Sequence, residues 1–285
     1  GTGINPSDFT NASHKFIVQS GDVYTGTANW TVAGEIQVIG ELSTGAYTTT
    51  MAGLTDVDGT LTIPNGGVYD ANGDFNADGG GSGAVTLTGT GRLRLSAAGS
   101  GVSSLGNLST GAGTVEYDGG TQNVLADDYY NLIIDQSGNK TAQGAVNVAN
   151  DMTISNSATY LTANYTTTVT GATSVGAILE VNSSSGIFHA GGGFSASGNI
   201  NFSANGILRF ITVSPTSLGT LDNTEGRVIY KNGATNVLAD DYHNLQVVDG
   251  GTARTAQGDI NVSGDFIIGS SSELNLGNNT LTITG

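Results

Sequence analysis

Carboxylates carry most of the chemistry this sequence could do. Asp127-Asp128 and Asp240-Asp241 are adjacent pairs, each followed by a tyrosine, and Asp70-Ala71-Asn72-Gly73-Asp74 places oxygen-bearing side chains at alternate positions. Such acids suit three kinds of work. A glycosidase needs two carboxylates at a fixed separation across a sugar. Calcium needs several oxygens at once. An Asx-turn needs only one side chain folded back onto its own backbone. Strand alternation sends adjacent residues to opposite faces, and both pairs occur in the same local sequence, a duplication that a single active site does not need. The turn reading therefore stands first for Asp127, Asp128, Asp240 and Asp241, with a calcium site second and catalysis last. Asp70, Asn72 and Asp74 have the first-third-fifth spacing of an EF-hand loop, but Phe75 stands where that loop needs glycine and its closing glutamate is missing. They read as a polar corner, with calcium again the candidate ligand. No other cofactor is implied.

The remaining candidates are few. Histidine occurs at His14, His189 and His243; His243 stands where the other copy has Tyr130, which argues against a required catalytic role, and His189 has no carboxylate or cysteine motif beside it, so all three read as strand or surface residues. No serine sits in a Gly-x-Ser-x-Gly elbow. The glycine runs 79–81 and 191–193 lack the Lys-Ser/Thr of a phosphate loop and read as tight turns. Tyr129-Tyr130 and Tyr242-His243 place neighbouring rings on opposite faces of a strand, so one ring anchors the core and the other faces out. Tyr130 and His243 are thus the candidates for stacking on a sugar or a partner protein, against the simpler reading of cross-strand packing.

These residues are positioned by an internal repeat. Asn123–Leu132 recurs as Asn236–Leu245 with a single difference, Tyr130 against His243. Gly113-Thr114-Val115-Glu116-Tyr117 matches Gly226-Arg227-Val228-Ile229-Tyr230 at the same offset, and Thr141–Gly144 matches Thr255–Gly258 with one residue inserted before it. The two copies should share one backbone course, with Leu125/Leu238 and Leu132/Leu245 buried. Looser matches extend the pattern, so residues 57–171 and 172–285 read as two repeat units and residues 1–56 as the back half of a preceding one. The local grammar is Gly-x-h-x-h with h apolar, as in Gly59–Ile63, Gly83–Leu87 and Gly91–Leu95. Alternation at period two predicts short strands with one buried face, and the Gly and Asn between them supply the turns. No sustained helical period appears. Recurrent Thr-x-Thr pairs such as Thr60/Thr62 and Thr280/Thr282 follow from β-propensity. The predicted fold is all-β, a parallel β-solenoid (β-helix) with coils of about 20–25 residues, running as one continuous stack. The alternative is a row of tandem Ig-like β-sandwiches, whose usual size of about 100 residues the repeat period also fits.

Composition narrows the partners. The chain has 285 residues, 45 of them Gly, no Cys, and 24 acids against 8 Lys+Arg for a net charge of −16. A phosphate backbone and an anionic bilayer surface both need a basic face, so nucleic acid and membrane binding are not expected. No apolar run is long enough to span a bilayer. The absence of Cys removes disulfides, thiolate zinc sites and a Cys nucleophile. Gly1-Thr2-Gly3 has neither an initiator Met nor a signal-peptide pattern, which reads as a mature or excised chain.

Gly113–Tyr117, Tyr129-Tyr130-Asn131-Leu132, Val146-Asn147-Val148 and the closing Leu281-Thr282-Ile283-Thr284-Gly285 together resemble the repeats of giant Bacteroidota surface proteins, including adhesins exported by the gliding-associated (type IX) secretion system. The resemblance covers most of residues 57–285 and implies a stalk, filament or adhesin at the bacterial cell surface. It points to a style of repeat, not to a ligand. The reading is a non-catalytic extracellular segment that contacts neighbouring repeats or subunits, with surface glycans or proteins as candidate ligands. The alternative is a carbohydrate-active β-helix enzyme or binding module. An enzyme would carry one unique cluster of acids with Lys or Arg, and the eight cations, spread along the chain, predict none. Leu281 and Ile283, in an ordinary repeat strand without a polar cap, are expected to be covered end to end by a following coil.

Overall fold

A computed structural model describes residues 9–78, 82–248, 251 and 253–285. The glycine run 79–81 lies outside the described residues. Two compact units are present, Gly1–Lys140 and Thr141–Gly285, and the boundary between them falls inside the strand Gly138–Ala142. Every described element of regular structure is a β-strand. The described strand pairings are parallel, as where Lys15–Val18 lies beside Glu35–Val38, Val68–Ala71 beside Arg92–Leu95, and Ile207–Phe210 beside Arg227–Lys231.

Both units are β-solenoids. Ig-like sandwiches are excluded, because their sheets are antiparallel. In the first unit each coil supplies three short strands, one to each of three sheets. One sheet stacks Lys15–Val18, Glu35–Val38, Thr55–Val57, Phe75–Asn76 and Val102–Ser104. A second stacks Val23–Thr25, Glu41–Ser43, Thr60–Ile63, Ala84–Leu87 and Asn107–Leu108. The third includes Trp30–Val32, Thr48–Met51, Val68–Ala71, Arg92–Leu95, Thr114–Tyr117 and Asn131–Ile134. The second unit has a comparable stack through Thr166–Val169, Ile187–Ala190, Ile207–Phe210, Arg227–Lys231, Asn244–Val248 and Phe266–Ile268. There the strand Phe194–Phe202 rounds a corner unbroken, pairing with Thr173–Val175 at one end and Ile178–Val181 at the other.

The period-two pattern decides which side chains go inside. Thr60–Ile63 and Ile207–Phe210 both alternate half-buried and buried, so Leu61, Ile63, Leu208 and Phe210 point inward. In-register stacking then builds apolar columns. One runs Tyr69, Leu93, Val115 and Leu132 in the first unit, another Phe188, Leu208, Val228 and Leu245 in the second. All eight are buried, which at about 1.5–3 kcal/mol per large side chain makes such columns a main source of stability. Tyrosines in this core must bring their hydroxyls a partner. Tyr69 OH meets Thr55 Oγ1 at 3.0 Å, and Tyr160 OH meets Thr167 Oγ1 at 2.7 Å.

Coil length is not constant. A short coil pairs Val115 with Leu132, and the same short coil recurs between Val228 and Leu245 in the second unit. The coil that pairs Phe75 with Val102 is much longer.

Candidate functional site

The repeated segment forms the same lock in each unit. In the first, Leu125 N–H donates to Tyr117 Oη at 3.2 Å, and Tyr129 O–H donates to Leu125 O at 2.8 Å. The two hydroxyls are 3.1 Å apart. Each hydroxyl has one proton, so Tyr117 must donate to Tyr129, and the three bonds close into a ring. The second unit reproduces it with Tyr230, Leu238 and Tyr242, at 3.3, 2.8 and 3.0 Å. Burial pushes the Tyr117 hydroxyl up to about 12 and also raises those of Tyr230 and Tyr242.

Around the ring, further contacts coincide. Asn131 donates Nδ2–H to Gly113 O at 2.9 Å, as Asn244 does to Gly226 O. Gly113 and Gly226 have φ of +83° and +77°, and an added Cβ would lie 2.4 Å from Leu87 Cβ or 2.1 Å from Phe202 Cγ. Only glycine fits. Lys140 and Arg254 occupy matching positions as fully buried cations. Lys140 Nζ donates to Gln136 O at 2.7 Å and Ser137 O at 3.2 Å, and Arg254 Nη2 to Val248 O at 2.7 Å. Sequence reasoning missed these staples. Their matching place in the two copies was the signal that could have found them.

The two leucines of this segment divide. Leu132 and Leu245 are buried, as their strand alternation requires. Leu125 and Leu238, expected inside, are only half-buried in both copies. They sit at the corner where their backbone groups serve the tyrosines, and Val124 and Val237 take the inward positions instead.

The acidic pairs turn onto the backbone. Asp127 Oδ1 accepts the N–H of Asp128 at 2.8 Å, and Asp240 Oδ1 that of Asp241 at 2.9 Å. Burial raises the pKa of both Asp127 and Asp240. Asp128 and Asp241 lie on the outside, and Asp241 Oδ1 accepts from Asn261 Nδ2 at 2.7 Å. Asp70 does not share a corner site with Asn72 and Asp74. It points outward from Val68–Ala71 toward Arg94, while Asn72 and Asp74 flank the turn that follows. Among the described residues no group of three or more His, Asp or Glu side chains is disposed to hold a metal ion. Tyr129 and Tyr242 are buried, and Tyr130 and His243 are half-buried on the outer face. Leu281 is half-buried and Ile283 is 48% exposed, in a strand that pairs with Ile260–Val262.

One arrangement was not expected from the sequence. Register brings Asp70, Arg94 and Glu116 side by side on the outer face of the first unit. Glu116 Oε2 binds Arg92 Nη2 and, at 3.3 Å, Arg94 Nε. Arg94 also reaches Asp70 Oδ2 at 3.6 Å and Asp118 Oδ2, whose second oxygen accepts from Ser96 Oγ at 2.6 Å. Acids and arginines therefore do cluster, although their even spread along the sequence predicted no cluster. Yet each carboxylate is tied to a guanidinium, and Glu116 has only 2% of its side chain exposed. Burial raises its pKa, against the pull of Arg92 and Arg94. A substrate has no free acid–base pair to meet here.

The second unit inverts this face. Glu116 is replaced by Ile229, Asp118 by Lys231, and the neighbour of the arginine is His189 in place of Asp70. Arg209 Nη1 lies 3.1 Å from His189 Nε2. A guanidinium only donates, so Nε2 accepts. Burial first, then Arg209 and Lys231, holds His189 down to about 4, so it is neutral. Nearby, a groove of about 480 Å³ is lined by Asn205, Ile207, Arg227, His243 and Asp265. His243 Nδ1 contacts Ser263 Oγ at 3.1 Å, and Ser263 also lines an adjoining hollow of about 300 Å³.

Compared with family models, curated proteins and solved structures, the chain gives no match.

Proposed function

We propose that the chain is a non-catalytic structural and adhesive segment of a bacterial surface protein, working outside the cell. The observation that carries this reading is the duplicated tyrosine ring with its asparagine brace, tight glycine and buried cation. The copies share what holds a coil together and differ in what a coil displays: Tyr130 against His243, Glu116 against Ile229, Asp118 against Lys231. A scaffold that adds length and varies its outer face suits a stalk or adhesin. An enzyme would need an accessible acid–base pair, and the cluster of acids around Glu116 is closed by its own arginines. Partners in this reading are neighbouring coils or copies at the Leu281–Ile283 edge, and glycans or proteins at the outward side chains. The fold is held by apolar columns and hydrogen bonds, so the reading requires no metal.

The test is twofold. The purified chain, incubated with acidic and neutral polysaccharides, should release no new reducing ends or unsaturated products. Beads coated with it should adhere to bacterial or glycan-bearing surfaces better than uncoated beads. Polysaccharide turnover that disappears in Glu116→Gln would overturn the non-catalytic reading.

A further inference from the structure

We propose that the groove of the second unit binds an acidic saccharide, with the sugar between Ile207 and the His243 ring and its anionic group facing Arg227. This rests on the adhesive reading above and names a ligand class for it.

The charge distribution points to an anion. The second unit contains four Lys and Arg residues, and Arg254 is buried. The other three, Arg209, Arg227 and Lys231, all lie on the outer face of the two adjacent strands Ile207–Phe210 and Arg227–Lys231. Ile207 pairs with Arg227 and shares its strand face with Arg209, whose guanidinium turns the other way, to His189 on the strand Ile187–Ala190, and adds positive charge beside the groove.

The first unit serves as an internal comparison. Its equivalent arginine, Arg94, is met by Asp70, Glu116 and Asp118. The second unit has lost all three acids and kept the arginine. At the groove itself, Arg227 replaces Thr114 and His243 replaces Tyr130. The first change adds a cation at one copy only, and the second exchanges a phenol for an imidazole.

The groove has the size and lining for a sugar. Its volume of about 480 Å³ falls in the range of small-molecule sites. Ile207 offers an apolar floor, the His243 ring a flat face, and Asn205 and Asp265 hydrogen-bonding groups for hydroxyls. Asp265 is 71% exposed and lies 3.5 Å from Arg227. Such an exposed ion pair is worth little, so Asp265 can turn to a hydroxyl while Arg227 takes the anion. The chain's net charge of −16 repels long polyanions, but at physiological salt it is screened beyond about 8 Å. The expected ligand is therefore a short acidic oligosaccharide or a chain end.

Calorimetric titration of the full chain with a tetragalacturonate, a sulfated oligosaccharide and the neutral methyl ester of the tetragalacturonate tests this. Binding of an acidic probe with one site per chain is expected, at least about tenfold tighter than the neutral ester. Arg227→Gln should weaken it about tenfold, the loss of one charge-assisted hydrogen bond, with melting temperature unchanged, and Arg209→Gln, outside the groove lining, should weaken it less. Lys15→Gln, on the first unit, should leave it unchanged. The two acidic probes tell a carboxylate site from a sulfate site. Equal binding of acidic and neutral forms, two sites per chain, indifference to Arg227→Gln, or no binding at all would each overturn the assignment. Failure to bind leaves the structural reading standing, whereas binding followed by cleavage keeps the groove and refutes the non-catalytic reading.

Discussion

Replacing Tyr242 by Phe isolates the hydroxyl ring of the second unit. The aromatic ring stays, so the core keeps its packing and no cavity opens. Two of the three hydrogen bonds disappear: Tyr242 O–H to Leu238 O at 2.8 Å, and the 3.0 Å contact with Tyr230 Oη. Leu238 is half-buried at a corner, where its carbonyl can find water. Tyr230 is fully buried, so its hydroxyl proton is stranded. A lost neutral hydrogen bond costs about 1 kcal/mol and a stranded buried donor about 1–3 kcal/mol. The expected loss is about 2–3 kcal/mol. The double change Tyr230→Phe/Tyr242→Phe strands no hydroxyl, so it should cost at least about 1 kcal/mol less than the sum of the singles. Tyr130→Phe, on the outer face, should shift stability by under about 0.5 kcal/mol. Urea denaturation followed by circular dichroism measures all four variants. A single change at Tyr242 that costs no more than this surface control, or a strictly additive double, would show that the ring does not act as a unit.

Alkali should unfold the protein. Tyr117 has its hydroxyl held up at about 12, above the ordinary value of 10.0, so above pH 10 the unfolded chain loses protons that the native state keeps. Stability is therefore intact below pH 10 and falls from there toward pH 12, by about 3 kcal/mol from this group alone; a flat pH 9–12 melting profile would refute the burial argument. Gly226→Ala forces a side chain into a left-handed backbone against Phe202 and should cost about 2–4 kcal/mol, read from the urea midpoint. Lys140→Arg should be tolerated, because Arg254 serves the matching position, while Lys140→Met leaves Gln136 O and Ser137 O without their donor and should cost about 1–3 kcal/mol by the same assay.

Much of this fold was legible because it depends on local pattern. Alternation along Thr60–Ile63 or Ile207–Phe210 names the inward residues directly, and the recurrence of Asn123–Leu132 at Asn236–Leu245 marks the two copies. The split roles of Tyr129 and Tyr130 follow from the same rule. The half-burial of Leu125 and Leu238 was not legible, since a corner breaks the alternation of the strands on either side. Nor was the cluster at Glu116. Asp70, Arg94 and Glu116 meet only because two successive coils close with these residues in register, and coil length is set in the corners rather than in the strands. An error of one residue in either coil would move every outward side chain to the inner face. Surface sites on such a fold are thus the last thing a sequence discloses.

The short coils have a consequence for how the chain folds. Both tyrosine rings lie within them, between Val115 and Leu132 and between Val228 and Leu245. Closing a short loop sacrifices less chain entropy than closing a long one, and the difference from the long coil at Phe75 and Val102 is about 0.4 kcal/mol. The rings then fasten those loops with three hydrogen bonds each, between residues no more than twelve apart. Coils of this kind can propagate from any formed neighbour. Each unit therefore carries one coil that closes over a short loop and is fastened by short-range hydrogen bonds at Leu125 or Leu238.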